Sequence, residues 1–371
     1  MRKCKGCEET FELSNFHRNG DGYRSRCKGC AAQAQAIRRA KKDPAEHSYG
    51  TGEVPEGYRI KGVTQLLDGD GKITSQHVKT ELEPTKKEDK SRAILDALES
   101  MCEPFRGTIP PADEPETHDA DLMNVLPIGD LHVGLRCYAQ EVGEDWDQRK
   151  AEDLFLPAVD GLFDAAPNAE EAFIVNVGDY MHADNSNGTT TKGTPLDVDG
   201  PRSSTMLVAL RIFRRCIDRA LTTHKRVTVI CATGNHDGES SVWLRLCLSL
   251  VYEREPRVYI DQAPVKFHYK RFGRCLLGVT HGDTCKTTEL PLIMAVDRAE
   301  DWAATEHRAW ITGHIHHLTT KEMPGCVVRS YRSQATRDKW HDWSGYRSER
   351  DLRLEVWHRE HGQIQEFIHS I

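Results

Sequence analysis

Residues 172–184 read Ala-Phe-Ile-Val-Asn-Val-Gly-Asp-Tyr-Met-His-Ala-Asp. Ala172–Val177 is a short apolar run of the kind that forms a buried strand, and Gly178-Asp179 ends it. The same pattern recurs on both sides. Leu122–Leu131 is apolar and carries Gly129-Asp130 near its end. Arg226–Cys231 runs into Gly234-Asn235-His236-Asp237, Cys275–Thr280 into His281-Gly282-Asp283, and Ala309–Thr312 into Gly313-His314-Ile315-His316. Helical patterns stand between them around Ala151–Ala165, near Ser204–Leu221 and over Ser241–Tyr252. Further strands are expected near Val258–Ile260, Val265–Tyr269, Val327–Tyr331, Leu352–His358 and Ile364–Ile368. Strands alternating with helices predict a mixed α/β domain over residues 122–371.

In such sheets, binding sites form in the crevice beyond the C-terminal ends of the strands. Five polar clusters stand at such ends: Asp130-Leu-His132, Asp179 with His182, Asn235-His236-Asp237, His281, and His314-Ile-His316. Together they supply carboxylate oxygens, an amide oxygen and imidazole nitrogens, a donor set for hard or borderline divalent ions rather than thiolate metals. Two such ions side by side acidify a water and neutralise charge on a phosphoryl group attacked in line. Each cluster alone also has a structural reading. Gly-Asp after a strand is a turn, Gly-Asn-His-Asp can be an Asx-type turn, and Gly-His-Ile-His-His can be a surface loop. Their order, each at a strand end, is what points to chemistry.

Asp-x-His, Gly-Asp-x-x-(His/Asp), Gly-Asn-His-(Asp/Glu), a later His and Gly-His-x-His, in this order, resemble the signature of the calcineurin-like metallophosphoesterases over about residues 122–320. The resemblance implies a sandwich of two facing sheets flanked by helices. It implies that Asp130, His132, Asp179 and His316 hold one metal, and that Asp179, Asn235, His281 and His314 hold the other, with Asp179 as the bridge. His236 would then be the proton donor or phosphate-contacting histidine. The second motif departs from the phosphoprotein phosphatases, whose Asp-Arg-Gly is absent. Its Gly-Asp-x-x-His form is similar to the branch of DNA double-strand-break repair nucleases, including bacterial SbcD-type exonucleases. In that branch His182 would support a ligand or contact substrate; the alternative is a partly buried structural histidine. The block Thr280-His281-Gly282-Asp283 has Gly-Asp where many members have Gly-His.

Cys4-x-x-Cys7 and Cys27-x-x-Cys30 have the spacing of two knuckles of a tetrahedral zinc site. A module of about 40 residues holds little core, so the metal would supply folding energy. Residues 1–42 contain 11 Lys and Arg against 4 Asp and Glu, a net charge of +7, while the remainder carries −14. A basic head on an acidic body suits a polyanionic partner. The stretches Cys-Lys-Gly-Cys, Leu13-Ser14-Asn15-Phe16 and Asp21-Gly22-Tyr23-Arg24-Ser25-Arg26 resemble small zinc modules of phage and bacterial DNA-processing proteins. Arg18, Arg24, Arg26, Lys28, Arg38 and Arg39 would meet phosphates, and Phe16 and Tyr23 would stack on bases. A purely structural or protein-docking cap is the competing reading.

At 371 residues the chain has room for two or three domains. Residues 1–42 read as a zinc ribbon ending in a polar helix, Ala31–Lys42. Residues 43–109 read as a connector with a hairpin, Tyr58–Leu67 and Lys72–Val78 around Asp68-Gly-Asp-Gly71, then a helix through Ile94–Cys102. Residues 110–121 are an acidic, Pro-rich linker. The Asp68 stretch fails as a calcium loop because Leu66 and His77 occupy positions that should be acidic. No apolar run reaches the ~18 residues of a membrane span. The N-terminus has no apolar leader, so a cytoplasmic protein without membrane contact is expected. The eight cysteines outside the head are expected to be buried free thiols. Asn185–Gly200 is expected to be a loop over the site. Lys192, Arg202, Arg329, Arg332 and Arg337 are candidate phosphate contacts or solvated charges, and His317 is a neighbour rather than a ligand.

The expected activity is metal-dependent hydrolysis of phosphodiester bonds in nucleic acid, that of a DNA nuclease with two divalent ions, Mn²⁺ by resemblance, and one structural zinc. A homodimer is expected by the same resemblance. The alternatives are a phosphomonoesterase or small cyclic-nucleotide phosphodiesterase with the zinc module as a docking element. A third possibility is a binding protein whose large domain is only weakly active.

Overall fold

The chain divides into two units, Met1–Leu95 and Asp96–Ile371. A computed structural model describes residues 1–19, 22–33, 58–67, 73–82 and 113–371, with 54, 103, 106–108 and 111 besides. In the first unit β1 (Arg2–Lys3) pairs with β2 (Thr10–Phe11), and β3 (Phe16–Asn19) pairs with β4 (Gly22–Cys27), all antiparallel. Residues 28–33 are helical, so the helix expected from Ala31 begins earlier, inside the second knuckle. Among the described residues of this unit the buried apolar ones are Cys4, Phe16 and Cys27. Phe16, expected to stack on bases, is therefore core and unavailable. The expected hairpin forms from β5 (Tyr58–Leu67) and β6 (Ile73–Leu82), with Tyr58 opposite Leu82. Its turn, the helix expected through Ile94–Cys102 and most of the Ala31–Lys42 helix lie outside the described residues.

The second unit carries β7 (Asp119–Ile128), β8 (Ala169–Asn176), β9 (His224–Cys231), β10 (Val258–Ile260), β11 (His268–Phe272), β12 (Cys275–Val279), β13 (His307–Thr312), β14 (Thr319–Met323), β15 (Cys326–Ser330), β16 (Asp351–His358) and β17 (Gly362–Ser370). Its helices include α1 (Gln148–Ala165), α2 (Arg202–Leu221), α3 (Gly238–Val251), α4 (Leu290–Asp297), α5 (Ala299–Ala304) and α6 (Lys339–Trp343). One sheet has the order β10-β9-β8-β7-β16-β17 and the other β11-β12-β13-β15-β14. Strands β7 to β10 are parallel, as are β12, β13 and β15.

Side-chain alternation sorts the residues into layers. Met123, Val125, Phe173, Val175 and Ile230 of the first sheet meet Cys275, Leu277, Val279, Ala309 and Ile311 of the second in one core. The intervening Leu122, Leu126, Ile174, Val227 and Val229 pack on α1, α2 and α3. On the far side of the second sheet, Leu276, Trp310 and Val328 pack on Leu290 and Met294 of α4, and the Trp310 indole N–H donates to Leu290 O at 2.9 Å. The result is the expected two-sheet sandwich flanked by helices.

Several local expectations shift. Strand β7 takes in Asp119–Asp121 from the acidic stretch, because Asp119 lies opposite Ala169 and its N–H donates to Asn168 O. The expected Val265–Tyr269 strand lies three residues later, as β11, because the tight turn at Gly273 sets Phe272 opposite Cys275. Strand β14 and helices α4 and α5 were not anticipated; β14 is an edge strand with a mostly exposed, polar sequence. Cys137, Cys216, Cys231, Cys275 and Cys326 are buried free thiols as expected, and Cys285 is half-buried. Cys247 departs from that expectation, being disulfide-bonded. No described helix is long and apolar enough to cross a membrane.

Candidate metal centre

The five clusters occupy the loops after β7, β8, β9, β12 and β13, so both sheets contribute. Backbone bonds lace the loops together. His132 N–H donates to Asp179 O at 3.1 Å, Val133 N–H to Tyr180 O at 2.8 Å, and His182 N–H to Val133 O at 3.0 Å. Among the described residues six non-glycine residues have a left-handed backbone. Five of them are Asp130, His132, Asp179, His314 and His316, with φ from 38° to 70°. Such conformations cost free energy and persist where surrounding structure over-determines them, chiefly at functional sites. The close packing also demands glycine: a Cβ at Gly234 would stand 2.0 Å from Asp179 Oδ1.

The side chains expected to bind metal converge in two groups, beside a third cluster of His132, His182 and His236. Asp130, His132 and His316 form one, and Asp179, His281 and His314 the other; within each, the ligand atoms lie within 4.8 Å of one another. Asn235 joins the second group, with Oδ1 at 3.1 Å from His281 Nε2. His281 Nδ1 donates to Val177 O at 3.0 Å, which directs Nε2 at Asn235 Oδ1 and at Asp179 Oδ2, 3.2 Å away. A neutral imidazole would aim a lone pair at two oxygens, so the arrangement requires a cation or a proton. In the metal-free chain it is a proton. Burial works against charge on His281, but the Asp179 carboxylate outweighs it and lifts the imidazole to about 10. Burial likewise opposes the Asp179 carboxylate, yet His281 holds it far below the usual range.

The first group has the same character. His132 Nε2 and His316 Nε2 face each other at 3.2 Å, and His316 Nε2 is 3.5 Å from Asp130 Oδ1. Burial and the neighbouring imidazoles of His236 and His316 push His132 well below its ordinary pKa. Buried oxygen and nitrogen donors pointed at one another fit divalent cations.

His236 and His182 sit beside these groups. His236 N–H donates to Asp179 Oδ1 at 2.7 Å, and His236 Nδ1 donates to His182 O at 2.8 Å, leaving Nε2 on the cavity side. His182 is buried, with Nδ1 at 3.3 Å from His132 Nδ1. Burial, then the charge of His236, lowers it to about 3. It stays neutral and holds the His132 ring.

Asp237 stood in one of the clusters without an assigned role. Its buried carboxylate accepts the N–H groups of Gly234, Asp179 and Tyr180 at 3.0, 3.2 and 2.8 Å, and so shapes two ligand loops at once. Asp283 lines the site with its Oδ1 buried and without a hydrogen-bond partner among the described residues. The arginines resolve differently. Arg329 pairs with Glu355 at 2.7 Å, Arg332 with Asp351 at 2.6 Å and Arg337 with Asp342 at 2.8 Å; Arg202 donates to Ala183 O and Ser240 Oγ. These four hold the scaffold. His317 donates to Ile315 O and stands outside both groups.

A cavity of about 710 Å³ opens over the centre. Asp179, His182, Asn235, His236, His314 and His316 line it, as do Thr190, Lys192 and Thr194–Asp197 of the expected loop. A further wall, Lys339, Trp340, His341, Trp343 and Tyr346, went unrecognised in the sequence because it follows the last motif by more than twenty residues.

In the first unit the four sulfurs of Cys4, Cys7, Cys27 and Cys30 also lie within 4.8 Å of one another. Cys4 Sγ accepts the N–H groups of Cys27 and Gly6 at 3.1 and 3.2 Å, and the Cys27 bond draws its thiol down to about 6. Hydrogen bonding with Cys27 and Cys7 pushes Cys30 up to about 12. Four thiols in which each thiolate opposes the next fit a cation that pairs with all of them. Gly6 is required, since a Cβ there would meet Cys30 Sγ at 2.9 Å.

No family model matches the chain, and no curated protein matches it. Among solved structures, it is similar to Vps29 complexed with Zn²⁺ from Entamoeba histolytica, at 16% identity and a TM-score of 0.31, over 67% of this chain and 99% of that one. It is also similar to a novel archaeal phosphodiesterase, at 14% and 0.33 over 67% and 99%. A third is a dimetal phosphatase from Danio rerio, at 9% and 0.35 over 67% and 98%.

Proposed function

We propose that the second unit is a two-metal phosphodiesterase of the calcineurin-like metallophosphoesterase type, acting on nucleic acid as a DNA nuclease. The observation that carries the metal assignment is the convergence of Asp130, His132 and His316, and of Asp179, His281 and His314, from loops of both sheets. Asn235 completes the second group. Two divalent cations, Mn²⁺ by family resemblance, would supply an acidified water and neutralise the charge of the phosphoryl group.

The chain's own residues do the rest. The cavity wall carries the carboxylates of Asp179, Asp283 and Asp338, so a phosphodiester is repelled until cations are in place. His236, held by its Nδ1 bond to His182 O, turns Nε2 into the cavity, where it donates a proton to the leaving oxygen or binds a phosphoryl oxygen. His182 and His132 share one proton between their Nδ1 atoms. With His132 Nε2 directed at the ligand group, His132 donates and neutral His182 accepts.

The basic first unit supports nucleic acid as substrate, with its Cys4 cluster read as a structural zinc site. The carboxylates around the cavity favour a second assignment, a phosphomonoesterase or small cyclic-nucleotide phosphodiesterase with the head as a docking element. Metal-stripped chain reloaded with Mn²⁺ and assayed on single-stranded DNA, duplex DNA and a phosphomonoester separates them. Chelator-sensitive DNA cleavage that disappears in Asp179→Asn is expected. Monoester turnover with intact DNA establishes the second assignment, and full activity of Asp179→Asn at saturating metal refutes the metal centre.

A further inference from the structure

The ligand His316 does not end the row of rings at the centre. His341 stacks on it with centroids 4.3 Å apart and planes 17° apart. Asp338 fixes His341 in place, accepting its N–H at 2.8 Å and meeting its Nδ1 at 2.7 Å. Trp340 stands edge-on to His341 at 5.0 Å and tilted over Tyr346 at 5.7 Å. All three line the cavity over the metal centre. Trp340 is 61% exposed and Trp343 75%. Two exposed indoles on one short helix, lining the cavity over the metal centre, make an apolar surface of the sort that marks a contact site.

We infer that Trp340, with Trp343 beside it, is a stacking platform for an unpaired nucleobase next to the phosphodiester held at the metal centre. The inference rests on the nucleic-acid assignment above. Three features select a base as the occupant. The platform lies two ring steps from a metal ligand, the reach of a nucleotide whose phosphate is at the centre. Trp340 and Trp343 both face the cavity as lining residues, and Lys339 Nζ lies over the Trp343 ring at 5.1 Å, which leaves Trp340 as the principal stacking surface. Lys192 lines the same cavity, where it meets a flanking phosphate. A base stacked inside a duplex cannot turn its face to an indole, so the substrate class is single-stranded nucleic acid or a frayed end.

The test uses the full chain with Mn²⁺ and fluorescein-labelled single-stranded DNA made cleavage-resistant by phosphorothioate linkages, followed by anisotropy and by quenching of tryptophan fluorescence. The same strand with abasic sites is the comparison. The wild-type chain should bind the base-bearing strand about ten-fold more tightly, the size of one base–aromatic stack. Trp340→Ala should abolish that preference, Trp340→Phe should restore most of it, and Trp343→Ala should reduce it. Binding and cleavage of DNA with no preference for bases, or with a preference unchanged in both alanine variants, overturns the platform and leaves the nuclease assignment standing. A wild-type chain that hydrolyses a small phosphodiester but neither binds nor cleaves any strand overturns the nucleic-acid assignment itself.

Discussion

Gly234→Ala adds one methyl group, changes no charge and asks for no forbidden backbone angle. Its Cβ would stand 2.0 Å from Asp179 Oδ1, 2.4 Å from Asp179 N and 2.8 Å from Asp179 Cγ. Unbonded heavy atoms settle at about 3.5 Å, so the two loops must separate by ~1 Å or more. Gly234 cannot retreat freely, because its N–H is tied to Asp237 Oδ1 at 3.0 Å. The displacement therefore falls on Asp179 and on the 2.7 Å bond from His236 N–H to its Oδ1. Overpacking of this kind costs ~1–3 kcal/mol of stability. A 1 Å error at a reacting centre costs ~100-fold in rate. The assay is Mn²⁺ titration calorimetry and phosphodiester turnover on the variant, with urea unfolding as the measure of the fold. Gly161→Ala is the matched comparison: it lies within α1, meets His369 at an ordinary 3.5 Å, and should add ~0.5–1 kcal/mol of stability. If Gly234→Ala binds metal and turns over like the wild type, the close approach of the two loops is refuted.

Three further predictions address the rest of the chain. Cys27→Ser should lower bound zinc by one ion per chain and open Cys4, Cys7 and Cys30 to a thiol reagent; an unchanged zinc content contradicts the four-thiol site. Loading the metal-free centre at pH 7.5 should release at least one proton per chain, since His281 titrates at about 10 and must lose its Nε2 proton to bind. Calorimetry in two buffers of different ionisation enthalpy measures this, and identical heats count against it. Buried His224 donates from Nδ1 to Ala220 O and accepts from Asn124 Nδ2 at Nε2, and burial above all lowers it to about 4. Its contribution is complete above pH 6.5 and is lost as pH falls from 6.5 towards 4, up to ~3 kcal/mol. Urea midpoints of the metal-free chain at pH 7.5, 5.5 and 4.5 should fall less steeply in His224→Gln; parallel slopes contradict the assignment.

The convergence of the candidate metal-binding side chains was legible in the sequence because they stand close to strand ends. Each candidate ligand follows a strand by one to a few residues, and a strand buried on both faces shows as a nearly continuous apolar run, such as Ala172–Val177 with only Asn176 interrupting it. What depends on tertiary neighbours was not legible. Phe16 looks like any aromatic between polar residues, and only the fold shows it closing the small core around Cys4 and Cys27. Arg329 and Arg332 follow the last motif as phosphate-binding arginines would, yet their partners Glu355 and Asp351 belong to a neighbouring strand of the other sheet. Strand β14 exists through pairing with β15 and has no apolar face of its own. Trp340 and Trp343 lie on a single turn of helix, too short for any periodicity to show.

The two proposed metal sites differ in how far apart their candidate ligands lie along the chain. His132 and His316, which face each other in the centre, are separated by 184 residues and lie on loops of different sheets. A cation would find that site only once both sheets have met, so its binding is expected to follow the folding transition state. Interactions made after the transition state slow escape from the native state and leave the rate of entry unchanged. Metal loading should therefore lengthen the native lifetime of the second unit without speeding its refolding. The Cys4 cluster closes over one short stretch, Cys4 to Cys30, and could form as soon as that stretch is synthesised. One cation would guide a nascent segment, and the others would lock a finished one.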